Sequence, residues 1–264
     1  MFFGNSKIVE DLRRNEMATV AELTQATHYA ETASSYDATL GQTPEHELAQ
    51  YVLLGVMASL KATSLLDVGA GTGRAIRFFR EHRPEMKIVG IEPSDAMRAV
   101  GHAAGVPESC LLGGDGRNLP YADSSFDVVT EFGVLHHASD PVAVVSEMAR
   151  VARYAVFISD TNNLGQGGAP GRVIKNLFYW CGLWKPFNLV RTRGKGYAYE
   201  PSDGLWYYYT AFSHFDALFR KCHSVHVMNT RRSSRTHWFS ASHVALLAVK
   251  KEAALAHPMF EYLR

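Results

Sequence analysis

Short apolar runs alternate with helically spaced apolar residues along the middle of the chain. The runs at 64–69, 87–92, 109–113, 126–131 and 154–160 are rich in Leu, Ile and Val and end in glycine or an acid, which predicts five buried strands. Apolar residues at three- and four-residue spacing between them predict helices near 73–82, 95–104 and 141–152, and Glu45 to Leu60 reads as an amphipathic helix entering the first strand. A helix at 211–221 and strands at 224–229 and 243–249 follow. Strands that alternate with helices need right-handed crossovers, so the expected fold is α/β: a doubly wound, mostly parallel seven-stranded sheet with helices on both faces. A ligand then belongs at the carboxyl ends of the strands.

Two stretches depart from this alternation. Residues 6–35 carry helical spacing (Ile8, Val9, Leu12, later Val20 and Leu23), and 1–45 reads as an N-terminal helical cap. Residues 161–210 hold eight glycines and many aromatics between the fifth strand and the next helix, too long for an ordinary connection. A substrate lid beside the site is the economical reading, hinged at Gly165, Gly167 and Gly168. Its stripe of Val173, Ile174, Leu177, Phe178, Cys181 and Trp184 is expected to pack onto the domain, with a membrane-surface helix as the alternative. The whole chain then forms one domain, its core built from 46–160 and 211–251.

The chemistry starts at Leu65-Leu-Asp-Val-Gly-Ala-Gly-Thr-Gly-Arg74. A buried strand stops at Gly69, side chains are absent at Gly71 and Gly73, and a helix begins at once, leaving backbone N–H groups open to a ligand. A dinucleotide turn would place its third glycine at position 74, which is Arg74, so a nicotinamide dinucleotide fits poorly. With Asp67 in the strand, the segment resembles the first motif of class I S-adenosylmethionine (SAM) dependent methyltransferases of the small-molecule type. Glu92-Pro93 at the tip of the second strand is where a ribose is held by its hydroxyls. Asp115-Gly116 after the third strand matches the family's acid beside the adenine. Ser125 to His137 (SFDVVTEFGVLHH) resembles the family's fourth-strand motif. The resemblance covers about 30–160. It implies a Rossmann-like methyltransferase fold with SAM held by Asp67, Gly69, Ala70, Gly71, Gly73, Glu92, Pro93, Asp115, Gly116 and Glu131. Tyr36, in an Ala-x-x-Tyr-Asp entry, folds over the cofactor.

Charge changes the picture of the acceptor. Residues 1–169 hold 13 Lys and Arg against 21 Asp and Glu, whereas 170–251 hold 13 against 3. Solvated surface is the bland account. The sharper one is an anionic substrate drawn to Arg172, Lys175, Arg191, Arg193, Lys195, Arg231, Arg232 and Arg235. Scattered bases and a pI near 7.8 argue against nucleic acid. Three separated cysteines argue for a reducing cytoplasm, and neither a spanning segment nor a secretory leader is expected. Peripheral membrane contact and oligomeric state stay open.

Methyl transfer from a sulfonium needs alignment of donor and nucleophile, and a base when the nucleophile is a hydroxyl. His136 and His137, after the fourth strand, are the candidate catalytic residues. Tyr207, Tyr209 and Arg193 are the candidate substrate contacts. No metal is expected, although Asp160, Asn162 and Asn163 resemble part of the ligand set of magnesium-dependent catechol-type enzymes. The expected function is O-methylation of a small polar acceptor, a sugar or an anionic biosynthetic intermediate. N- or C-methylation and a non-catalytic SAM-binding partner are the alternatives.

Overall fold

The computed structural model describes residues 20–40, 43–231, 236 and 238–256. The first part of the expected cap, with Arg232 and Arg235, lies outside the described residues. The main sheet has seven strands in the order β3-β2-β1-β4-β5-β9-β8. These are β1 (Ser64–Val68), β2 (Lys87–Glu92), β3 (Leu111–Gly113), β4 (Phe126–Phe132), β5 (Ala152–Thr161), β8 (Ser224–Asn229) and β9 (His243–Val249). β3 to β5 run parallel, and β9 pairs antiparallel with β5 and with β8. The order reverses at β1, which lies between β2 and β4, and this is the crevice where open α/β sheets bind ligands.

Successive residues of each central strand enter opposite cores. Leu66, Val129 and Val156 join one apolar cluster, while Leu65, Val128 and Phe157 join the other. Burial on both faces is why these strands read as continuous apolar runs. The helices that cover them are α1 (Val20–Leu40), α2 (Pro44–Ser59), α3 (Arg74–His82), α4 (Asp95–Ala103) and α5 (Pro141–Val151). Side chains cap the N-termini of two of them: Ser94 accepts from Met97 N at the start of α4, and Asp140 from Ala143 N at the start of α5. The Phe126-Asp127 pair has a structural task, since the Asp127 carboxylate accepts from Thr63 N at 2.8 Å and from Thr63 Oγ1 at 2.9 Å, tying β4 to the entry of β1.

The segment 161–210 folds as α6 (Ala169–Trp180), α7 (Trp184–Arg191) and a hairpin of β6 (Tyr197–Glu200) and β7 (Gly204–Tyr207); α8 (Phe215–Lys221) and α9 (Lys251–Ala256) follow. Two expectations for this segment are corrected. Gly165 is no hinge: it is buried, and a Cβ there would meet Ala241 O at 2.0 Å, so glycine serves a close backbone approach. The apolar stripe does not pack wholly onto the domain. Phe178 stacks on Phe187, ring centroids 4.5 Å apart, but Val173, Ile174, Leu177 and Trp180 face outward. Three of the expected bases, Arg172, Lys175 and Arg191, lie near enough that the two guanidiniums help push the Lys175 ammonium down to about 8 after burial. Each is also held locally: Lys175 donates to Asn163 O and Gln166 O, Arg172 to Gly167 O, and Arg191 lies over the Tyr208 ring.

Candidate active site

The turn Gly69–Gly73 joins β1 to α3. Gly69, Gly71 and Gly73 have φ of 74°, 55° and 75°, a region closed to most side chains. At Gly69 the need is also spatial, because a Cβ would stand 2.5 Å from Val134 Cγ1. Glu92 at the tip of β2 accepts from Gly71 N and from Ser94 N, both at 2.9 Å, so the second strand fixes the shape of the turn. Gly71 carries almost nothing above it and lines, with Tyr36, Asp67, Gly69, Ala70 and His46, a cavity of ≈ 200 Å³. Gly73, Glu92, Pro93, Asp115, Gly116 and Glu131 do not line it.

The cap is bolted to this turn. Asp37 of α1 accepts from Thr72 Oγ1 at 2.6 Å and from Arg77 at 3.0 Å. Tyr36, on the adjacent position, meets Tyr29 edge-on at 6.1 Å, and burial pushes its phenol up to about 12. Burial also raises the carboxyls below. Asp67 is pushed up to about 7, with Glu92 adding repulsion, and Glu92 is raised as well, although its two backbone donors oppose the shift. Glu131 is raised most clearly, by burial and by nearby Asp160; one oxygen accepts from Val134 N at 2.9 Å, and the other has no hydrogen-bond partner among the described residues.

A second cluster stands at the ends of β4 and β5. Parallel register places Glu131 against Ile158 and Phe132 against Ser159, which brings Asp160 beneath the 3₁₀ turn Leu135–His137. Asp160 is fully buried. It accepts from Leu135 N at 2.8 Å, His136 N at 3.3 Å and Thr161 N, and its Oδ1 stands 2.6 Å from His136 Nδ1. Burial opposes charge on His136, but Asp160 and Asp203 outweigh it and hold the imidazole up to about 10. His137 Nδ1 lies 2.6 Å from Leu205 O, and burial with the neighbouring His136 lowers its pKa. Asp203, in the hairpin turn, places its oxygens 3.8 Å from His136 Nε2 and 3.6 Å from His137 Nε2, and the two imidazoles hold its carboxyl below the usual range. Gln25 of α1 accepts from Leu205 N at 2.5 Å, so cap, hairpin and histidines form one cluster. Tyr29, edge-on to both His137 and Tyr36, links it to the glycine turn.

Several expected residues sit elsewhere. Asp115 is exposed at the expected edge, but its carboxylate is gripped by Arg117, which also reaches Glu22 of the cap. Tyr209 is a core residue, buried beside His214 with its hydroxyl unpartnered among the described residues. Tyr207 is half-buried on β7 against Tyr197. Arg193 is exposed in a turn with φ of 53°. Asn162 is committed to structure, donating to Trp238 O and Ala241 O and accepting from Thr210 Oγ1 and Leu164 N. Asp160, Asp203, Asp37 and His46 were missing from the expected site set. Asp160 left a trace as an acid at a strand tip, and Asp37 as the Asp of the Ala-x-x-Tyr-Asp entry.

An open α/β sheet gathers its glycine turn, strand-tip acids and His136–Asp160 pair at one carboxyl edge. Residues 66–157 match the family model described as a methyltransferase domain, and over that stretch the chain is similar to SAM-dependent methyltransferases. An uncharacterized methyltransferase of Schizosaccharomyces pombe is 32% identical over 147 residues, covering 51% of each chain. A demethylmenaquinone methyltransferase of a Roseiflexus species is 32% identical over 99 residues, 36% of this chain and 40% of that protein. The chain therefore spans about half, or less, of the length of these curated relatives. A solved SAM-dependent methyltransferase of Thermotoga maritima, titled a possible histamine N-methyltransferase, shares the fold with TM-score 0.50 and 16% identity, over 86% of this chain and 100% of its own. A putative methyltransferase of Bacillus halodurans does so with TM-score 0.51 and 17% identity, over 76% and 98%.

Proposed function

We propose that the protein transfers the methyl group of SAM to a hydroxyl of a small polar acceptor, sugar-like or anionic. SAM lies across Gly69–Gly73 with its amino-acid end toward Asp67 and Tyr36, its ribose toward Glu92-Pro93 and its adenine toward Asp115-Gly116. Glu131 closes the floor between the two clusters. The observation that carries the reading is the pair of Nε2 atoms of His136 and His137, facing Asp203 at the edge of the cofactor crevice. Such a polar rim suits an oxygen nucleophile better than an apolar ring carbon. The segment 161–210 acts as the acceptor lid, with Asp203 as the lid's contact to the histidines and Tyr207 at the hairpin edge toward the cap. Arg193, exposed on the same segment, serves as an outer acceptor contact when the lid closes. Incubation with labelled SAM and panels of sugars, hydroxy acids and amines tests this. Label in an O-methyl ether supports it, and label only in amines or carbon acceptors points to the alternatives. No transfer at all, with SAM bound, favours a non-catalytic partner.

A peripheral membrane contact is part of the proposal, on a separate observation. On α6 and α7 the polarity is inverted: Leu177, Trp180 and Val190 are 60%, 69% and 82% exposed, while Asn176 and Asn188 are 7% and 6% exposed. No acid occurs from 161 to 199, against six Lys and Arg. An apolar face with a basic surround suits an anionic bilayer surface. No helix among the described residues is long and apolar enough to cross one. The protein is expected to sediment with vesicles containing phosphatidylglycerol and not with neutral phosphatidylcholine vesicles, and Leu177→Glu with Trp180→Glu should abolish this. Self-association through the same face, read as a dimer by light scattering without vesicle binding, would replace the reading.

A further inference from the structure

We propose that His136, His137 and Asp203 form a binding site for one divalent transition-metal ion. The three side chains offer one nitrogen or oxygen each, all within 4.8 Å of one another. Their tautomers are dictated from behind. His136 Nδ1 lies 2.6 Å from the buried Asp160 carboxylate and must donate its proton there. His137 Nδ1 lies 2.6 Å from Leu205 O, a carbonyl, so it too carries the proton; the Gln25 amide, at 3.4 Å from the same nitrogen, is the weaker contact. Both Nε2 atoms are thereby left facing the Asp203 carboxylate, and an ion bound between them displaces the proton that His136 otherwise holds on that nitrogen. A metal-bound histidine characteristically donates its other N–H to a carboxylate or a backbone carbonyl, and here one histidine does each.

The spacing agrees. The Nε2–Oδ separations of 3.8 Å and 3.6 Å are too long for hydrogen bonds. With metal–ligand bonds of about 2.1 Å, tetrahedral neighbours stand ~3.4 Å apart, so each histidine needs to close on Asp203 by only a few tenths of an ångström. Two imidazoles with one carboxylate select a zinc- or iron-like ion over magnesium or calcium, and three ligands leave positions open for an acceptor oxygen. Such an ion supplies a Lewis acid for that oxygen. The histidines are then ligands rather than proton acceptors, and Asp203 carries the hairpin to the ion. That catalytic consequence rests on the methyl-transfer reading, but the binding itself does not.

The test is metal binding by the full chain, stripped with chelator and titrated with Co²⁺, followed by calorimetry and by the visible absorption of the bound ion. One equivalent per chain with a tetrahedral or five-coordinate cobalt spectrum is expected. Asp203→Asn and His137→Gln should each weaken binding at least 10-fold, and Asp160→Asn, which acts from behind His136, by about 10- to 100-fold. His226→Gln, on β8, should leave it unchanged. Asp203 is 39% exposed in a turn, so its variant should keep the fold, and thermal melting checks that each variant has done so. No bound cobalt, or binding that survives Asp203→Asn and His137→Gln in folded protein, would overturn the proposal. In the first case the trio is only an ion-pair latch, and in the second the ion sits elsewhere. Failure here leaves SAM binding and methyl transfer standing, and failure of methyl transfer leaves the metal measurement to be read by itself.

Discussion

Replacing Asp160 with Asn should lower kcat by about 10²- to 10⁴-fold while the Kd for SAM changes less than about threefold, and His136→Asn should do the same. Asp160 spends its carboxylate on holding the 3₁₀ turn and the His136 ring at once, through Leu135 N, His136 N and His136 Nδ1. An Asn amide can accept from the backbone, but it offers N–H toward the ring and turns His136 into the wrong tautomer, with its proton on Nε2. The crevice residues lie on other elements, so cofactor affinity is spared. Because the two residues act as a unit, the double variant should cost little more than either single one. Single-turnover rates and SAM calorimetry check this. A loss of SAM binding equal to the loss of rate would show that the cluster supports the cofactor pocket rather than the acceptor.

The second large effect concerns Asp67. A carboxylate buried at the crevice floor, with its pKa pushed up to about 7 by burial and by Glu92, lacks the countercharge that an ammonium group supplies. In the apoprotein the folded state holds a proton that the unfolded chain, with an ordinary Asp near 4, has released. The folded pKa is raised, so this group's contribution is fully present below about 4 and is lost as pH rises through about 7. Asp67→Asn should accordingly stabilise the apoprotein at pH 8, by an amount on the order of 2–4 kcal/mol at most, while weakening SAM by about 10- to 100-fold. Wild-type SAM affinity should rise from pH 5.5 to 8, and binding near pH 6.5 should release a proton, visible as a dependence of the calorimetric heat on buffer. A flat profile with no proton release would place the SAM ammonium away from Asp67.

Much of this architecture was legible in the chain because burial on both faces writes itself as apolar runs. Lys87–Glu92 and His243–Val249 occupy the residues expected of them, and so does the half-buried edge strand Ser224–Asn229. The glycine turn was equally plain, since φ near 75° at Gly69 and Gly73 leaves few other residues. What failed did so where tertiary context decides. Tyr209 carries the same aromatic signal as Tyr207, yet one is core and the other lies on the hairpin. Asp115 does stand at the expected strand end, and what the chain did not announce is Arg117 two positions on, paired with its carboxylate. Asp203 belongs to Pro-Ser-Asp-Gly, which reads as a turn, and only folding brings it to histidines 66 residues earlier in the chain. The α6–α7 stripe had the spacing of a buried face, and spacing is silent on which side a helix presents to the domain.

A crystal structure of the full chain with S-adenosylhomocysteine would test the central claim most directly. The account predicts the amino-acid end beside Asp67 and Gly69, the ribose hydroxyls on Glu92, and the sulfur directed at the space before His136, His137 and Asp203. A cofactor bound elsewhere on the sheet edge, or with its sulfur turned away from that cluster, would contradict it.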